Sequence, residues 1–197
     1  MASVVYHVIG RPGVGKYTIG SELSRLTGAR LIDNHSINNV IFQLLEVDGV
    51  TRLPEGVWSR VDQVRAAVLD TLASVSPPEL SFVFTNFIRG EDEVEYAVFM
   101  EFVGASVSRG RVFVPVVLSC ETGELVRRIV RPERKARMKL VDPIEGARLN
   151  DETPQFRTDH PNLLELDVTR RPTGEAAAAI AAWGGRCVAA ADSNRDA

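Results

Sequence analysis

The chain has 197 residues, of which 45% are hydrophobic and 25% are charged, a balance typical of a folded domain with one substantial core. Its formal net charge of −3 argues against a nucleic-acid-binding surface, and no stretch approaches the roughly 20 apolar residues that cross a bilayer. Cys120 and Cys187 stand at neither metal-ligand nor redox-motif spacing. We therefore expect a cytoplasmic protein that acts on a small molecule, without nucleic-acid or membrane partners.

Strand and helix patterns alternate along the chain and predict the α/β class. The predicted elements are, in order, a strand at 4–9, a helix at 16–27, a strand at 30–32, helices at 37–46 and 57–75, a strand at 82–85, a helix at 94–107, a strand at 112–118, a helix from 122, a strand at 163–166 and a helix at 174–183. Continuously apolar strands separated by helices indicate a parallel sheet covered on both faces. We expect one domain over residues 1–184 and a flexible tail over residues 185–197.

The first predicted strand runs into a glycine-rich loop. Residues 10–16 read G-R-P-G-V-G-K, the pattern GxxxxGK, and a predicted helix follows. Glycines let successive backbone N–H groups face a phosphate, the helix N-terminus favours the same anion, and Lys16 adds a charge that reaches the outer phosphates in catalysis. The residues predicted to bind nucleotide are Gly10, Arg11, Pro12, Gly13, Val14, Gly15, Lys16, Tyr17 and Thr18.

The residue after the loop lysine departs from the usual pattern. A Ser or Thr hydroxyl normally binds Mg²⁺ at this position, but here Tyr17 stands there and Thr18 comes one residue later. One interpretation is that Thr18 or Asp33 holds Mg²⁺ through water, and the other is that the protein binds nucleotide and turns it over poorly. The metal ligands are left open.

Asp33, Asn34 and His35 follow the second predicted strand. Because the carboxyl ends of parallel strands share one edge of the sheet, these side chains should lie beside the phosphate loop. A carboxylate there can receive the proton of an acceptor hydroxyl and orient its oxygen, so Asp33 is the candidate base and His35 a second substrate contact. The alternative is that Asp33 or Asn34 only caps the next helix.

Three more side chains are candidates for substrate binding. Asn86 and Arg89 follow the third strand, where Asn86 could hold a hydroxyl and Arg89 an anionic group. Trp58 lies in the segment expected to cover the acceptor. The structural alternatives are a turn contact for Asn86, ion pairs between Arg89 and the carboxylates of residues 91–93, and core packing for Trp58.

A basic run follows the fourth strand. Residues 125–142 read L-V-R-R-I-V-R-P-E-R-K-A-R-M-K-L-V-D, and Pro132 begins a polar, poorly periodic stretch whose residues 131–150 are expected to form a lid. A guanidinium on a transferring phosphoryl group stabilises its charge. The assignments are Arg127 for the nucleotide, Arg131 and Arg134 for catalysis, and Arg137 for the substrate. The alternative is a solvated helix face balanced by glutamates.

These motifs together resemble the P-loop small-molecule kinases, which include shikimate kinase, gluconate kinase, chloramphenicol phosphotransferase and the nucleoside monophosphate kinases. G-V-G-K-Y-T, L-I-D-N-H-S-I-N-N, F-V-F-T-N and R-P-E-R are similar to a bacterial subgroup described as AAA-type ATPase or shikimate-kinase-like. The resemblance implies a three-layer fold with a five-stranded parallel sheet in the order 2-3-1-4-5, helices on both faces and an Arg-rich lid. It also implies ATP and Mg²⁺, with an acceptor pocket between the helices after strand two and the lid.

The sequence and the resemblance lead us to expect an ATP-dependent phosphotransferase that acts on a hydroxyl of a small metabolite or antibiotic. Only Arg89 and Arg60 are placed to bind a carboxylate, so shikimate itself is not the expected acceptor. The alternatives are a nucleotide-binding regulatory module and an NTPase with a degraded metal site. We expect a monomer or a homodimer.

Overall fold

Five parallel strands form one sheet in the order β2-β3-β1-β4-β5, as the resemblance implies. The structure is a computed structural model that describes residues 2–194. The strands are β1 (Val4–Gly10), β2 (Arg30–Ile32), β3 (Phe82–Asn86), β4 (Val112–Ser119) and β5 (Leu164–Asp167). The helices are α1 (Lys16–Thr27), α2 (Asn34–Phe42), α3 (Val57–Ser74), α4 (Glu93–Val107), α5 (Thr122–Ile129), α6 (Pro132–Lys135), α7 (Pro143–Glu152) and α8 (Thr173–Ser193). The α/β class and the strand order are therefore confirmed.

Strand β1 lies at the centre of the sheet, and every residue in it is buried. It pairs with β3 on one side and with β4 on the other. Val4, Tyr6 and Val8 share a core cluster with residues of α1 and α8, whereas Val5 and Ile9 pack with residues of α3 and α4. The continuously apolar pattern arises because both faces of the strand are covered by helices.

His7 is a buried polar exception in this core. Its ring is fully buried and stacks on Phe102 at a centroid distance of 4.2 Å, with Phe99 and Phe113 nearby. Neither ring nitrogen has a hydrogen-bond partner among residues 2–194. Burial lowers the pKa of His7 from 6.5 to about 3, so the imidazole is neutral at physiological pH.

The last helix is longer than the sequence pattern predicts. We expected it to end at Trp183, but α8 continues to Ser193, so residues 185–193 of the expected tail are helical and residues 195–197 lie outside the described part of the chain. Cys187 and Val188 are buried in the core cluster that α8 shares with α1. Gly184 allows close packing of α8 against β1, since a Cβ there would lie 2.4 Å from the Tyr6 hydroxyl oxygen.

Residues 132–161 also contain more regular structure than predicted. Helix α6 begins at Pro132 and helix α7 at Pro143. The Asp142 side chain caps α7 by accepting hydrogen bonds from the backbone N–H groups of residues 144 and 145. Only Gly146 of α7 is buried, so this helix has no apolar stripe that a sequence pattern could reveal.

The carboxyl ends of β1, β2 and β3 lie at one edge of the sheet. The glycine-rich loop follows β1, Asp33 follows β2, and Asn86 ends β3. This edge is where ligands bind in open parallel sheets. No helix within residues 2–194 is both long and apolar enough to cross a membrane.

Candidate nucleotide and acceptor site

The loop from Gly10 to Lys16 has the backbone geometry of an anion cradle. Gly13 and Gly15 have φ angles of 93° and 109°, a region that residues with side chains rarely adopt. A Cβ on Gly13 would also lie 3.0 Å from Leu125 and Ile129. The loop leads directly into α1, whose N-terminus adds a partial positive charge.

Two arginines tie this loop to other parts of the chain, Arg128 of α5 and Arg11 of the loop itself. The Arg128 side chain donates to Val14 O at 3.0 Å, to Val168 O at 2.9 Å and to Thr169 O at 3.1 Å, which joins the loop to the segment after β5. Arg11 donates to Leu149 O at 3.0 Å and also to Thr153 O, at the end of α7. The predicted nucleotide contact Arg11 therefore anchors α7 in this conformation.

Lys16 folds back along the loop. Its Nζ donates to Gly10 O at 2.5 Å and to Arg11 O at 2.9 Å. Burial and the charge of Lys139 lower the pKa of Lys16 to about 7, although Asp33 opposes this shift. A bound phosphate would supply the missing negative charge and favour the ammonium form.

Asp33 is buried, and its carboxylate has two firm partners. Thr85 Oγ1 donates to Oδ1 at 2.6 Å, and Lys139 Nζ donates to Oδ2 at 2.9 Å. Burial raises the pKa of Asp33, but the Lys139 charge and these hydrogen bonds outweigh it, so the pKa lies below its usual value. The Asp33 side chain makes no capping hydrogen bond to α2, which removes the simple capping alternative for it.

Lys139 is a site residue that the sequence interpretation missed. Only 8% of it is exposed, and it reaches Asp33 from a position 106 residues away in the chain. One signal was present: Lys16, Lys135 and Lys139 are the only lysines among 23 basic residues. In a chain that otherwise uses arginine, a lysine indicates a place where a compact ammonium is needed.

Tyr17 contacts two cations of the segment after α6. The Arg137 guanidinium carbon lies 3.7 Å from the centroid of the Tyr17 ring, and Lys139 Nζ lies 4.9 Å from it. Both distances fall within the range of cation–π attraction. The residue that replaces the usual Ser or Thr thus forms a platform on which residues 137–139 rest.

Thr18 and Asp33 are the two candidates for holding Mg²⁺ through water. Thr18 is exposed, and each oxygen of Asp33 accepts one hydrogen bond, which leaves a second acceptor site on each oxygen. In the described part of the chain, no group of three or more His, Cys, Asp or Glu side chains is arranged to hold a metal ion. The water-mediated Mg²⁺ site stays a prediction.

Of the substrate candidates, His35 lies beside Asp33 and Trp58 is partly exposed. His35 Nδ1 is 3.3 Å from Asn39 Oδ1, and burial together with the Lys139 charge lowers the pKa of His35 to about 4. Trp58 is 57% exposed and contacts Phe42 edge-on, with 5.8 Å between the ring centroids. Trp58 is therefore not a core residue.

The structural alternative holds for Asn86 but not for Arg89. Asn86 Oδ1 accepts a hydrogen bond from Phe87 N at 2.8 Å, as the turn alternative predicts. Arg89 is exposed and forms no ion pair with residues 91–93 among the described residues. Its charge acts instead on Glu95 and Glu145.

The predicted arginines divide into two groups. Arg127 is exposed and pairs with Glu124 at 2.7 Å, as expected for a solvated helix face. Arg131, Arg134 and Arg137 face the site, and Arg134 donates two hydrogen bonds to the carbonyl of residue 140 at 3.1 and 2.9 Å. The structure therefore places Arg127 apart from the other three.

One cavity of about 890 Å³ joins the loop, the end of β2, helices α2 and α3, and residues 131–140. The residues predicted from the sequence to bind nucleotide or substrate line this cavity, except for Gly10, Arg11, Val14 and Arg127. Its size is within the range of small-molecule sites. A phosphate group at the loop and a second molecule near Asp33 would share this space.

Comparisons with known proteins support a kinase fold. No protein-family model matches the chain, and no curated protein sequence is similar to it. A gluconokinase from Sinorhizobium meliloti has a TM-score of 0.60 at 19% identity, with 94% of this chain and 92% of that chain covered. A sugar kinase from Janibacter has a TM-score of 0.58 at 16% identity, with 92% and 94% covered.

The APS kinase of Mycobacterium tuberculosis, solved in complex with AMPPNP and APS, has a TM-score of 0.59 at 16% identity, with 92% and 97% of the two chains covered. These alignments extend over nearly the whole of each chain, so the likeness concerns the complete domain. The sheet order, the loop geometry and these neighbours agree. The chain has the fold of the P-loop small-molecule kinases.

Proposed function

We propose that this protein transfers the γ-phosphoryl group of ATP to a hydroxyl of a small molecule. The observation that carries the proposal is that the phosphate loop and the buried Asp33 carboxylate line the same cavity. A nucleotide-binding module alone would not need a desolvated carboxylate beside its phosphate site. The kinases of similar fold support the same proposal.

The roles follow from the chemistry of the residues. The loop amides and Lys16 hold the outer phosphates of ATP. The acceptor oxygen attacks the γ-phosphorus, the bond to the β,γ-bridging oxygen breaks, ADP leaves, and the hydroxyl proton passes to Asp33. Each carboxylate oxygen has two acceptor sites, so Asp33 can still accept a hydrogen bond from the acceptor hydroxyl beside Thr85 and Lys139.

Residues 131–150 are proposed as the lid of this site. Arg131 and Arg134 line the cavity together with the phosphate loop, so a guanidinium there would stabilise the charge on the equatorial oxygens of the transferring group. Arg134 already donates to a carbonyl of its own segment, so we assign the direct phosphoryl contact first to Arg131.

Titration calorimetry with ATP and a phosphate-transfer assay against hydroxylated acceptors test the proposal. Lys16→Met should weaken ATP binding by about 10- to 100-fold, because a charge-assisted contact is lost. Asp33→Asn should bind ATP within about threefold of the parent and transfer phosphate at least about 100-fold more slowly. Lys135→Met is the control, since Lys135 is exposed and lies outside the cavity lining.

Turnover unaffected by Asp33→Asn would reject the assignment of Asp33. ATP binding without any phosphate release would favour a regulatory module, for which Tyr17 in the metal-ligand position is the supporting observation. Phosphate release that no acceptor stimulates would favour simple hydrolysis.

A further inference from the structure

We infer that the acceptor carries an apolar ring system next to its reactive hydroxyl. This inference rests on the proposed function, because it concerns the part of the cavity that lies away from the phosphate loop. It is carried by the apolar wall of the cavity and by the polar groups beside that wall.

The wall formed by α2, α3 and the loop between them is apolar and partly open to the cavity. Trp58 is 57% exposed and Val50 60% exposed, and both line the cavity. Phe42 supports the Trp58 ring edge-on at 5.8 Å. Val47, Leu53 and Val61 complete this wall. Large apolar side chains left open in a concave site form a surface that binds the apolar body of a ligand.

Arg65, the cation of α3 that lines the cavity, already has an acidic partner. It pairs with Asp62 at 2.9 Å and lies 3.7 Å from Glu101. An anionic group at this wall would have to displace Asp62 to reach the Arg65 guanidinium, which makes its binding unfavourable there. Arg89, which follows β3, also lines the cavity, is exposed and forms no ion pair among the described residues.

Two carboxylates of the lining are already paired. Asp33 pairs with Lys139, and Asp62 pairs with Arg65. The cations Lys16, Arg131 and Arg137 belong to the phosphate loop and the segment after α5, where the nucleotide phosphates are expected. An acceptor at the α3 wall therefore meets apolar surface beside paired charges.

The polar groups beside the apolar wall suit a hydroxyl. Asn38 and His35 line the cavity on α2, one turn from each other, and His35 interacts with Asp33. An amide and a neutral imidazole each offer a donor and an acceptor. A hydroxyl bound here would lie between the Asp33 carboxylate and the apolar wall, with its ring on Trp58.

Three neutral or acidic probes test this inference: 2-(2-naphthyl)ethanol, glycerol and gluconate. The full chain with Trp183→Phe retains Trp58 as its only tryptophan, since the sequence has two. Trp183 lies on α8 and donates to Asn162 O at 2.9 Å, outside the cavity lining. The naphthyl alcohol should shift Trp58 emission and bind at least about tenfold more tightly than glycerol or gluconate.

Variants at position 58 separate a ligand contact from a structural effect. Trp58→Ala should weaken binding of the naphthyl alcohol, followed by ligand-observed NMR, by at least about tenfold, whereas Trp58→Phe should retain most of it. Tighter binding of gluconate, or naphthyl alcohol binding unchanged in Trp58→Ala, would overturn the inference.

Failure of the inference and failure of the proposed function give different results. Phosphate transfer from ATP to gluconate but to no ring-bearing alcohol would support a kinase and overturn the apolar acceptor. Binding of the naphthyl alcohol at Trp58 together with no phosphate transfer to any alcohol would support the apolar subsite and count against the kinase.

Discussion

Replacing Lys139 by methionine removes the ammonium from a buried ion pair and leaves the Asp33 carboxylate with Thr85 as its remaining direct partner. The two side chains are 10% and 7% exposed, and the charged atoms are 2.9 Å apart. At an effective dielectric constant of about 20, this distance gives about 6 kcal/mol of attraction, much of it offset by desolvation. We expect Lys139→Met to lower the free energy of unfolding by about 3 kcal/mol, because an unpaired charge stays buried.

Urea unfolding followed by circular dichroism measures this loss, and the thermal midpoint should fall by about 6 to 12 °C. Lys135→Met is a matched control, because Lys135 is exposed in the neighbouring helix and lies outside the cavity lining. The double variant Lys139→Met/Asp33→Asn should recover most of the stability, since neither charge is then buried alone. Equal stability of Lys139→Met and Lys135→Met would refute the reasoning.

The stability of Lys139→Met as a function of pH tests the same ion pair independently. In the parent, the folded-state pKa of Asp33 lies below its unfolded value, so the pair stabilises the fold above the unfolded pKa and this contribution is lost as the pH falls. Without Lys139, burial raises the pKa of Asp33 above the unfolded value, and protonation then relieves the buried charge. The stability deficit of Lys139→Met should therefore shrink as the pH is lowered towards about 4.

Three further changes test the core, the last helix and the Tyr17 platform. Burial lowers the pKa of His7 from 6.5 to about 3, so the unfolded chain takes up a proton below about pH 6.5 that the folded chain does not. The parent should therefore lose about 2 kcal/mol of stability between about pH 7.5 and pH 5, as measured by urea unfolding, and His7→Met should not lose it. The same dependence of unfolding free energy on pH in both proteins would contradict this. Gly184→Ala should destabilise by about 1 to 3 kcal/mol in thermal unfolding, because its Cβ would meet the rigid Tyr6 ring, whereas Gly185→Ala, with open space around it, should stabilise by about 0.5 to 1 kcal/mol. Tyr17→Leu should speed amide hydrogen exchange in residues 134–141 by about 2- to 20-fold through loss of cation–π contacts, while Tyr17→Phe should leave it unchanged; equal exchange in the two variants would exclude the platform.

Local sequence patterns predicted the parts of the fold that depend on neighbouring residues. The phosphate loop is contiguous and lies between a buried strand and a helix, so its position and its Lys16 follow from the pattern. The placement of Asp33 beside it follows from the rule that parallel strands end at one edge. The alternation of apolar strands and helices gave the parallel sheet, and the family resemblance gave its strand order.

The features that sequence reasoning missed depend on contacts between distant residues. No local pattern brings Lys139 to Asp33 across 106 positions. The continuation of α8 past Gly184 depends on packing against Tyr6 of β1, which overrides the low helix propensity of glycine. Helix α7 is nearly all surface, so periodicity had no apolar stripe to detect.

Arg128 makes the phosphate loop depend on the far end of the chain. It stands on α5, yet it holds a carbonyl of the loop and two carbonyls between β5 and α8. The same guanidinium thus ties the loop backbone to the segment between the last strand and the last helix. On the proposed function, a nucleotide bound at the loop would therefore resist opening of the C-terminal elements, whose residues 168 and 171–173 line the same cavity.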